Sequence, residues 1–258
     1  MTSRGEVRAV ITAAGLGTRM LPASKEIPKE MFPVPFKGEF KPIIQVIFEQ
    51  LFERGVRDFV IVVGRGKRVI EDHFTPDYDF LQYLERKGRG SSLREFYTKV
   101  EESRIAFVNQ PEPRGFGDAV LRAKPFISGD FVVVGADTLL DDVPILSPHS
   151  FLVTRVEDPR PYGTVILRDG KVVDVEEKPK VPKSNLVVVP YYYFSTRIFD
   201  ALERVRPDST GEVQLTEGIR ILLREGVEFY VREVNDVYDL GSTSNYASSL
   251  QKLLVKWG

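Results

Sequence analysis

The chain has 258 residues, 42% of them hydrophobic and 28% charged, and its 36 Lys and Arg against 37 Asp and Glu leave a net charge of −1. That balance suits a globular chain with a sizeable core and argues against duplex nucleic acid or an anionic membrane as partner. With no Cys, a disulfide framework, a thiolate metal site and a cysteine nucleophile are excluded; with no signal-like leader and no apolar run near ~20 residues, the expected setting is the cytoplasm.

In chain order, Val7 to Ala13 (VRAVITA) is a short β-branched run ending in small residues, which predicts a buried strand. A loop rich in Gly, Pro and charge runs from Ala14 to about Lys41. Pro42 then opens a helix whose Ile43, Ile47 and Leu51 form an apolar stripe, and Gly55 stops it. Phe59 to Val63 is the next buried strand. Helices are expected over Lys67–Phe74 and Phe80–Lys87, with Lys87–Glu95 (KGRGSSLRE) as a mobile connection. Ile105–Val108 is a strand, Gly117–Ala123 a short helix and Phe131–Gly135 a buried strand.

The rhythm then changes. Phe151–Val156, Thr164–Arg168, Val172–Glu176 and Val187–Phe194 predict strands, and Arg168-Asp169-Gly170-Lys171 predicts a hairpin. Helices follow over Ile198–Val205 and Val213–Arg224, then a strand over Phe229–Val234. Tyr246, Leu250, Leu254 and Trp257 stripe a last helix. Alternation of strand and helix in the first half predicts a Rossmann-like, doubly wound α/β fold. One mixed, mainly parallel sheet is expected to continue into a β-rich second half. Ligands of such sheets sit at the strands' carboxyl ends, which here lead to the segments after Ala13, Val108 and Gly135.

The loop Ala13–Met31 (AAGLGTRMLPASKEIPKEM) carries the strongest signal. Gly15 and Gly17 follow a buried strand, where backbone N–H groups can curl round an anion. Arg19 adds a forked donor for phosphate oxygens, and Lys29 a point charge. A dinucleotide fingerprint lacks its third glycine, replaced by Met20, and its ribose acid, replaced by Gly64-Arg65. A P-loop lacks its GK[ST]. An ordinary glycine turn with solvated cations remains the plainer alternative.

GLGTRMLP followed by PKEMFPV resembles the signature of the sugar-1-phosphate nucleotidyltransferases, in the wording of their UTP–glucose-1-phosphate uridylyltransferase branch. The resemblance extends over about Val7 to Leu254. It implies a nucleotide-diphospho-sugar transferase fold in one domain over 1–258, with a nucleotide-binding half over about 1–140 and a sugar-binding half over about 141–258. It implies UTP and glucose-1-phosphate as substrates and Mg²⁺ as cofactor.

Residue by residue, the resemblance assigns nucleotide contacts to Ala13, Ala14, Gly15, Gly17, Thr18, Gln110 and Gly115, with Arg19 and Lys29 on the phosphates. The amide of Gln110 offers a donor beside an acceptor, matching O4 and N3–H of uracil. Asp137 and Asp239 match the metal ligands. Gly163, Glu177, Lys178 and Tyr191 fall on the sugar side, Lys178 holding the phosphate of glucose-1-phosphate. Without the resemblance, Gln110 also reads as a solvated loop amide, Asp137 and Asp239 as capping or turn residues, Glu177 and Lys178 as a surface ion pair, and Tyr191 as an alternating strand aromatic. His73 and His149 have no partner at metal-ligand spacing.

Two departures are visible. Only VPILSPHS lies between Asp142 and Phe151, where the family carries a helix, and the chain ends soon after the Asp239 helix. Both bear on the family's oligomer interface, and a homo-oligomer stays open. Rival readings are dTTP or another sugar phosphate in the same chemistry, a non-catalytic sugar-nucleotide sensor, and an NAD(P) oxidoreductase.

Overall fold

The computed structural model describes residues 7–144 and 146–258. Strand β1 (Arg8–Ala13) forms where the β-branched run predicts it. The following loop is ordered by single 3₁₀ turns at Thr18–Met20, Ala23–Lys25 and Lys29–Met31. Its last part is a small antiparallel ribbon of β2 (Pro33–Phe36) and β3 (Glu39–Pro42), not loop. The two prolines of β2 masked it; they are tolerated because β2 has one strand partner.

Helix α1 (Ile43–Glu53) follows Pro42 and ends at Gly55, whose φ of 90° closes the chain back. Gly55 N–H donates to the Phe52 carbonyl at 2.9 Å and Val56 N–H to the Leu51 carbonyl at 3.2 Å, a paired C-terminal cap. Next come β4 (Asp58–Gly64), α2 (Arg68–His73) and α3 (Tyr78–Arg86).

The stretch expected to be a mobile connection instead starts helix α4 (Ser91–Glu101). Only Phe96, Tyr97 and Val100 of it are buried, too sparse an apolar face to stand out beside Gly88 and Gly90.

The chain continues through β5 (Arg104–Gln110), α5 (Phe116–Arg122), β6 (Phe131–Gly135) and β7 (Thr138–Leu140). Strands β8 (Ser150–Arg155), β9 (Gly163–Arg168), β10 (Lys171–Glu177) and β11 (Leu186–Phe194) follow. The turn from β9 to β10 has Asp169 at φ 52° and Gly170 at φ 76°, the primed hairpin geometry the Asp-Gly pair predicts.

Helix α6 (Arg197–Leu202) starts one residue before the expected Ile198 and ends three before the expected Val205. Helix α7 (Leu215–Arg224) begins two residues late. Val213 cannot join it, because its N–H donates to the Arg114 carbonyl and its carbonyl accepts from Gly117 N–H. β12 (Tyr230–Glu233), β13 (Val237–Asp239) and α8 (Thr243–Trp257) complete the chain. On α8 the expected Tyr246 and Trp257 pack against the core, the buried residues are Ser249 and Leu253, and Leu254 is 44% exposed. A strict four-residue step drifts off a 3.6-residue helix.

The main sheet has the order β10-β9-β11-β6-β1-β4-β5, with β8 against β11 and β12 against β8. β5, β4, β1 and β6 are mutually parallel; the pairings of β6, β8, β9 and β10 around β11 and β9 are antiparallel.

Along β1, Ala9, Ile11 and Ala13 face one core with α1 and α4, while Val10 faces the other with α5, α6 and α7. The near-continuous apolar strands follow from cover on both faces. The carboxyl ends of β1, β5 and β6 consequently open on one edge. No described helix is long and apolar enough to cross a membrane.

Candidate active site

That edge borders an open cavity of about 370 Å³. The segment after β1 supplies Ala14, Gly15, Thr18, Arg19 and Lys29. β5 and its following turn supply Gln110 and Gly115, and the end of β6 supplies Gly135 and Asp137. Gly17 turns the loop inward from a left-handed φ of 69°. Its carbonyl accepts from Met20 N–H at 2.8 Å and from the Ser24 hydroxyl at 2.7 Å. Gly15 is exposed with open space where a side chain would stand, as close approach by an anion requires.

Four expected charged residues meet at the far side. Lys29 Nζ lies 2.5 Å from Asp137 Oδ2. A methyl group built on Gly241 would stand 2.9 Å from Asp137 Oδ2, 3.0 Å from Arg19 Nη2 and 3.2 Å from Asp239 Oδ1. One point thus collects both aspartates and the arginine. Burial alone would lower the Lys29 pKa, but the Asp137 carboxylate outweighs it and the net shift is upward. Burial likewise pushes Asp137 up, yet Lys29 and then Arg19 bring it below the usual carboxylate range.

The meeting is built by the ribbon of β7 and β13, which pairs Thr138 with Asp239. Leu240 N–H adds a bond to the Asp137 carbonyl at 2.8 Å. Asp239 is held on both oxygens: Gly241 N–H donates to Oδ1 at 2.8 Å, and Asn245 Nδ2 and the Tyr162 hydroxyl donate to Oδ2 at 2.7 and 3.2 Å. Such fixing is what a metal-ligating or charge-organising carboxylate needs.

Lys29 rests on a buried ion pair absent from sequence reasoning. Lys67 Nζ donates to Glu30 Oε1 and Oε2 at 2.8 and 2.9 Å and to the Ala13 carbonyl at 2.5 Å. Glu30 is 1% exposed and Lys67 7%. Burial raises the Glu30 pKa and lowers that of Lys67. The pair ties β1, the Lys29 turn and the approach to α2 into one unit. The only sequence signal was the position of Glu30 next to Lys29. The Ala13 carbonyl, at the end of β1 beside the glycine loop, thus accepts from Lys67.

Gln110 is 4% exposed at the cavity wall. Its Nε2 donates to the Gly115 carbonyl at 3.1 Å and to Asp118 Oδ2 at 2.8 Å. Both amide hydrogens are therefore committed, and the expected donor–acceptor pair reduces to the acceptor Oε1. A side chain on Gly115 would meet the Val213 carbonyl at 2.8 Å and Glu212 Cβ at 2.9 Å, so only glycine lets the two segments close.

On the second side, the Thr216 hydroxyl donates to Glu177 Oε2 at 3.1 Å, and a methyl on Gly163 would lie 3.3 Å from that oxygen. Gly163 and Glu177 thus come together, joined by Thr216, which sequence reasoning gave no role. Lys178 does not join Lys29. Its side chain is 57% exposed, 3.6 Å from Glu177 Oε1, at the wall of a neighbouring open cavity of about 890 Å³.

Its backbone, at an unfavourable φ of 41°, donates to the Tyr162 carbonyl at 3.1 Å, so it stands one tyrosine from Asp239. Glu212 lines both cavities. Tyr191 is corrected to a core residue: it is 5% exposed, packs in the α1-side core, and burial raises its hydroxyl pKa.

A glycine loop after a parallel strand, cations beside it, and two aspartates converging from distant strands define a nucleotide-handling phosphoryl-transfer type of site. The chain belongs to the nucleotidyl transferase family, whose sequence profile matches residues 8–255. It is 35% identical over 261 residues to a UTP–glucose-1-phosphate uridylyltransferase from Streptococcus pyogenes, covering 91% of this chain and 84% of the relative.

Among solved structures, it is similar to a UDP-glucose pyrophosphorylase complexed with UDP-glucose, at 28% identity and TM-score 0.84, covering 97% of this chain and 99% of the other. It is also similar to a UTP-bound UDP-glucose pyrophosphorylase from Acinetobacter baumannii, at 29% identity and TM-score 0.82, covering 97% and 94%.

Proposed function

We propose that this protein transfers a uridylyl group from UTP to glucose-1-phosphate, giving UDP-glucose and pyrophosphate. The observation that carries the reading is the meeting of Arg19, Lys29, Asp137 and Asp239 at the edge of the glycine loop. Relatives and neighbours with UTP or UDP-glucose in their names, matched over more than nine tenths of this chain, support the substrate pair. The sheet shared by both halves supports one domain over 1–258. A cytoplasmic setting accompanies this reading, since nucleoside triphosphates are held there.

The chemistry is an in-line displacement. A phosphate oxygen of glucose-1-phosphate attacks the α-phosphorus of UTP, a new P–O bond forms, and the bond to the β-phosphate oxygen breaks with release of pyrophosphate. No general base is required, because the attacking oxygen is already ionised. Two anions must approach, so the barrier is largely electrostatic and lowered by fixed positive charge.

The N–H groups of Gly15 to Thr18 and the Arg19 guanidinium bind the β- and γ-phosphates. Lys29, kept charged by Asp137, stabilises the α-phosphate and the leaving group. Gln110 Oε1 accepts N3–H of the base. Gly163 and Glu177 take the sugar, and the exposed Lys178 side chain turns to its phosphate.

The carboxylates of Asp137 and Asp239, brought to one place by the β7–β13 pairing, are the hard oxygen ligands that would hold a divalent cation. Among the described residues no cluster of three or more metal-binding side chains exists. Phosphate and water oxygens would therefore complete the shell, a habit of Mg²⁺. Bound there, the ion supplies neutralisation of the developing phosphate charge.

The test is pyrophosphate release from UTP, dTTP, ATP, GTP and CTP, each with several sugar-1-phosphates, with and without Mg²⁺. UTP with glucose-1-phosphate and Mg²⁺ is expected to be fastest. A preference of another nucleotide over UTP would sink the assignment.

A further inference from the structure

Gln110 can read a base in only one sense if its amide cannot turn over. Its two partners, the Gly115 carbonyl and the Asp118 carboxylate, accept and do not donate. Chemistry therefore fixes Nε2 toward them and leaves Oε1 for the cavity that Gln110 lines. A main-chain carbonyl alone would be a single constraint. Asp118 adds the second, and it is itself immobilised: it is 5% exposed, and Arg122, one helical turn on, donates Nη2 to Oδ1 at 2.9 Å. Arg122 Nε lies 3.4 Å from Oδ2.

We infer that Asp118, held by Arg122, is a positioning residue for base specificity, locking Gln110 as a pure acceptor and so selecting uracil over cytosine. The inference rests on the uridylyl reading above. Uracil presents a donor at N3, which Oε1 accepts. Cytosine presents an unprotonated N3 in the same register, which sets two acceptors face to face. Sites built to hydrogen-bond one edge reject the wrong edge strongly, because their buried groups are left unpaired.

The geometry also explains a charged residue on a helix face against the sheet. The side-chain partners of Asp118 are Gln110 and Arg122, apart from the Lys29–Asp137 cluster. Its sequence position, three residues after Gly115 in RGFGDAVLR, gave no hint of a link to Gln110 at the other end of the turn.

The experiment measures kcat and KM for UTP and CTP in the wild type and in Asp118→Asn. With Arg122 claiming the asparagine oxygen, the asparagine amide faces Gln110 Nε2 and favours the turned-over amide. The ratio of kcat/KM for UTP over CTP is expected to fall about tenfold or more, one lost hydrogen-bond preference, mainly through KM. A ratio within twofold of wild type overturns the inference.

If Asp118→Asn does not fold, Arg122→Met decides. It removes an outward-facing guanidinium and frees the carboxylate to swing, so the ratio should drop severalfold; an unchanged ratio overturns the inference equally. A wild type with no preference for UTP over CTP would instead refute the uridylyl reading itself, and with it this inference.

Discussion

Lys29 and Asp137 lie 108 residues apart in sequence and meet with Nζ 2.5 Å from Oδ2, at side-chain exposures of 11% and 25%. The pair stores a cation beside a carboxylate at the cavity edge, ready to be shared with incoming phosphate. Both pKa directions favour the charged forms over the pH range between them. Lys29 is thus a preorganised positive charge that needs no proton transfer to act.

Replacing Lys29 with alanine is accordingly expected to lower kcat by about 10²–10³, as loss of one preorganised donor does elsewhere. Steady-state pyrophosphate release with UTP and glucose-1-phosphate checks this. A variant keeping half the wild-type kcat would remove Lys29 from the mechanism.

Gly241 is needed for space. A methyl there would press on Asp137 Oδ2, Arg19 Nη2 and Asp239 Oδ1 at 2.9–3.2 Å. These are side-chain ends that can shift, so Gly241→Ala should fold with a stability change within about 1 kcal/mol. The displaced carboxylates should lower kcat/KM by about 10- to 100-fold, since misplacement by about 1 Å carries that cost. Unfolding midpoints and kcat/KM measured side by side test it; near-normal activity would contradict the proposed convergence.

The Glu30–Lys67 pair should behave as a coupled unit. Lys67→Met leaves a buried carboxylate without its partner and is expected to destabilise the protein by about 3–5 kcal/mol. Glu30→Gln combined with Lys67→Met removes both charges and should recover at least half of that loss. Denaturant titration of the two single variants and the double variant measures the coupling. Simple additivity would show that the charges do not share an environment.

His73 gives a pH signature. It lies against Phe96 with ring centroids 4.9 Å apart and bonds Gln45 Oε1 at 3.0 Å, and burial pushes its pKa down to about 4. The folded state thus holds neutral imidazole where the unfolded chain, with a pKa near 6.5, takes up a proton. Stability is complete above pH 6.5 and lost as pH falls from 6.5 to 4, by up to about 3 kcal/mol. Urea midpoints at pH 7.5 and 4.5 should show the fall in wild type. His73→Gln should flatten most of it, with His149, also depressed by burial, contributing the rest.

The strands β1, β4, β6 and β11 were legible because each is covered on both faces and therefore reads as an apolar run. α1 was legible from its stripe, its Pro42 start and its Gly55 stop. α4 and the β2–β3 ribbon were not. One buries three residues behind a glycine-rich entry, and the other is built on prolines. On α8 Tyr246 and Trp257 reach the core as expected, but Leu253 takes the buried place expected of Leu254.

The sequence by itself determined which chemical groups this protein carries to its sheet edge: a glycine loop with Arg19 and Lys29, a glutamine at the end of β5, an aspartate after β6. These follow from local composition and from short-range order along each strand end. Only the tertiary structure decided which of them touch. The β7–β13 ribbon sets Asp239 beside Asp137, Lys67 reaches back beneath Lys29, Asp118 turns Gln110 into an acceptor, Tyr191 goes to the core and Lys178 to solvent. Contacts of that kind join residues from 8 to about a hundred positions apart. They depend on register and side-chain direction, which no local pattern encodes.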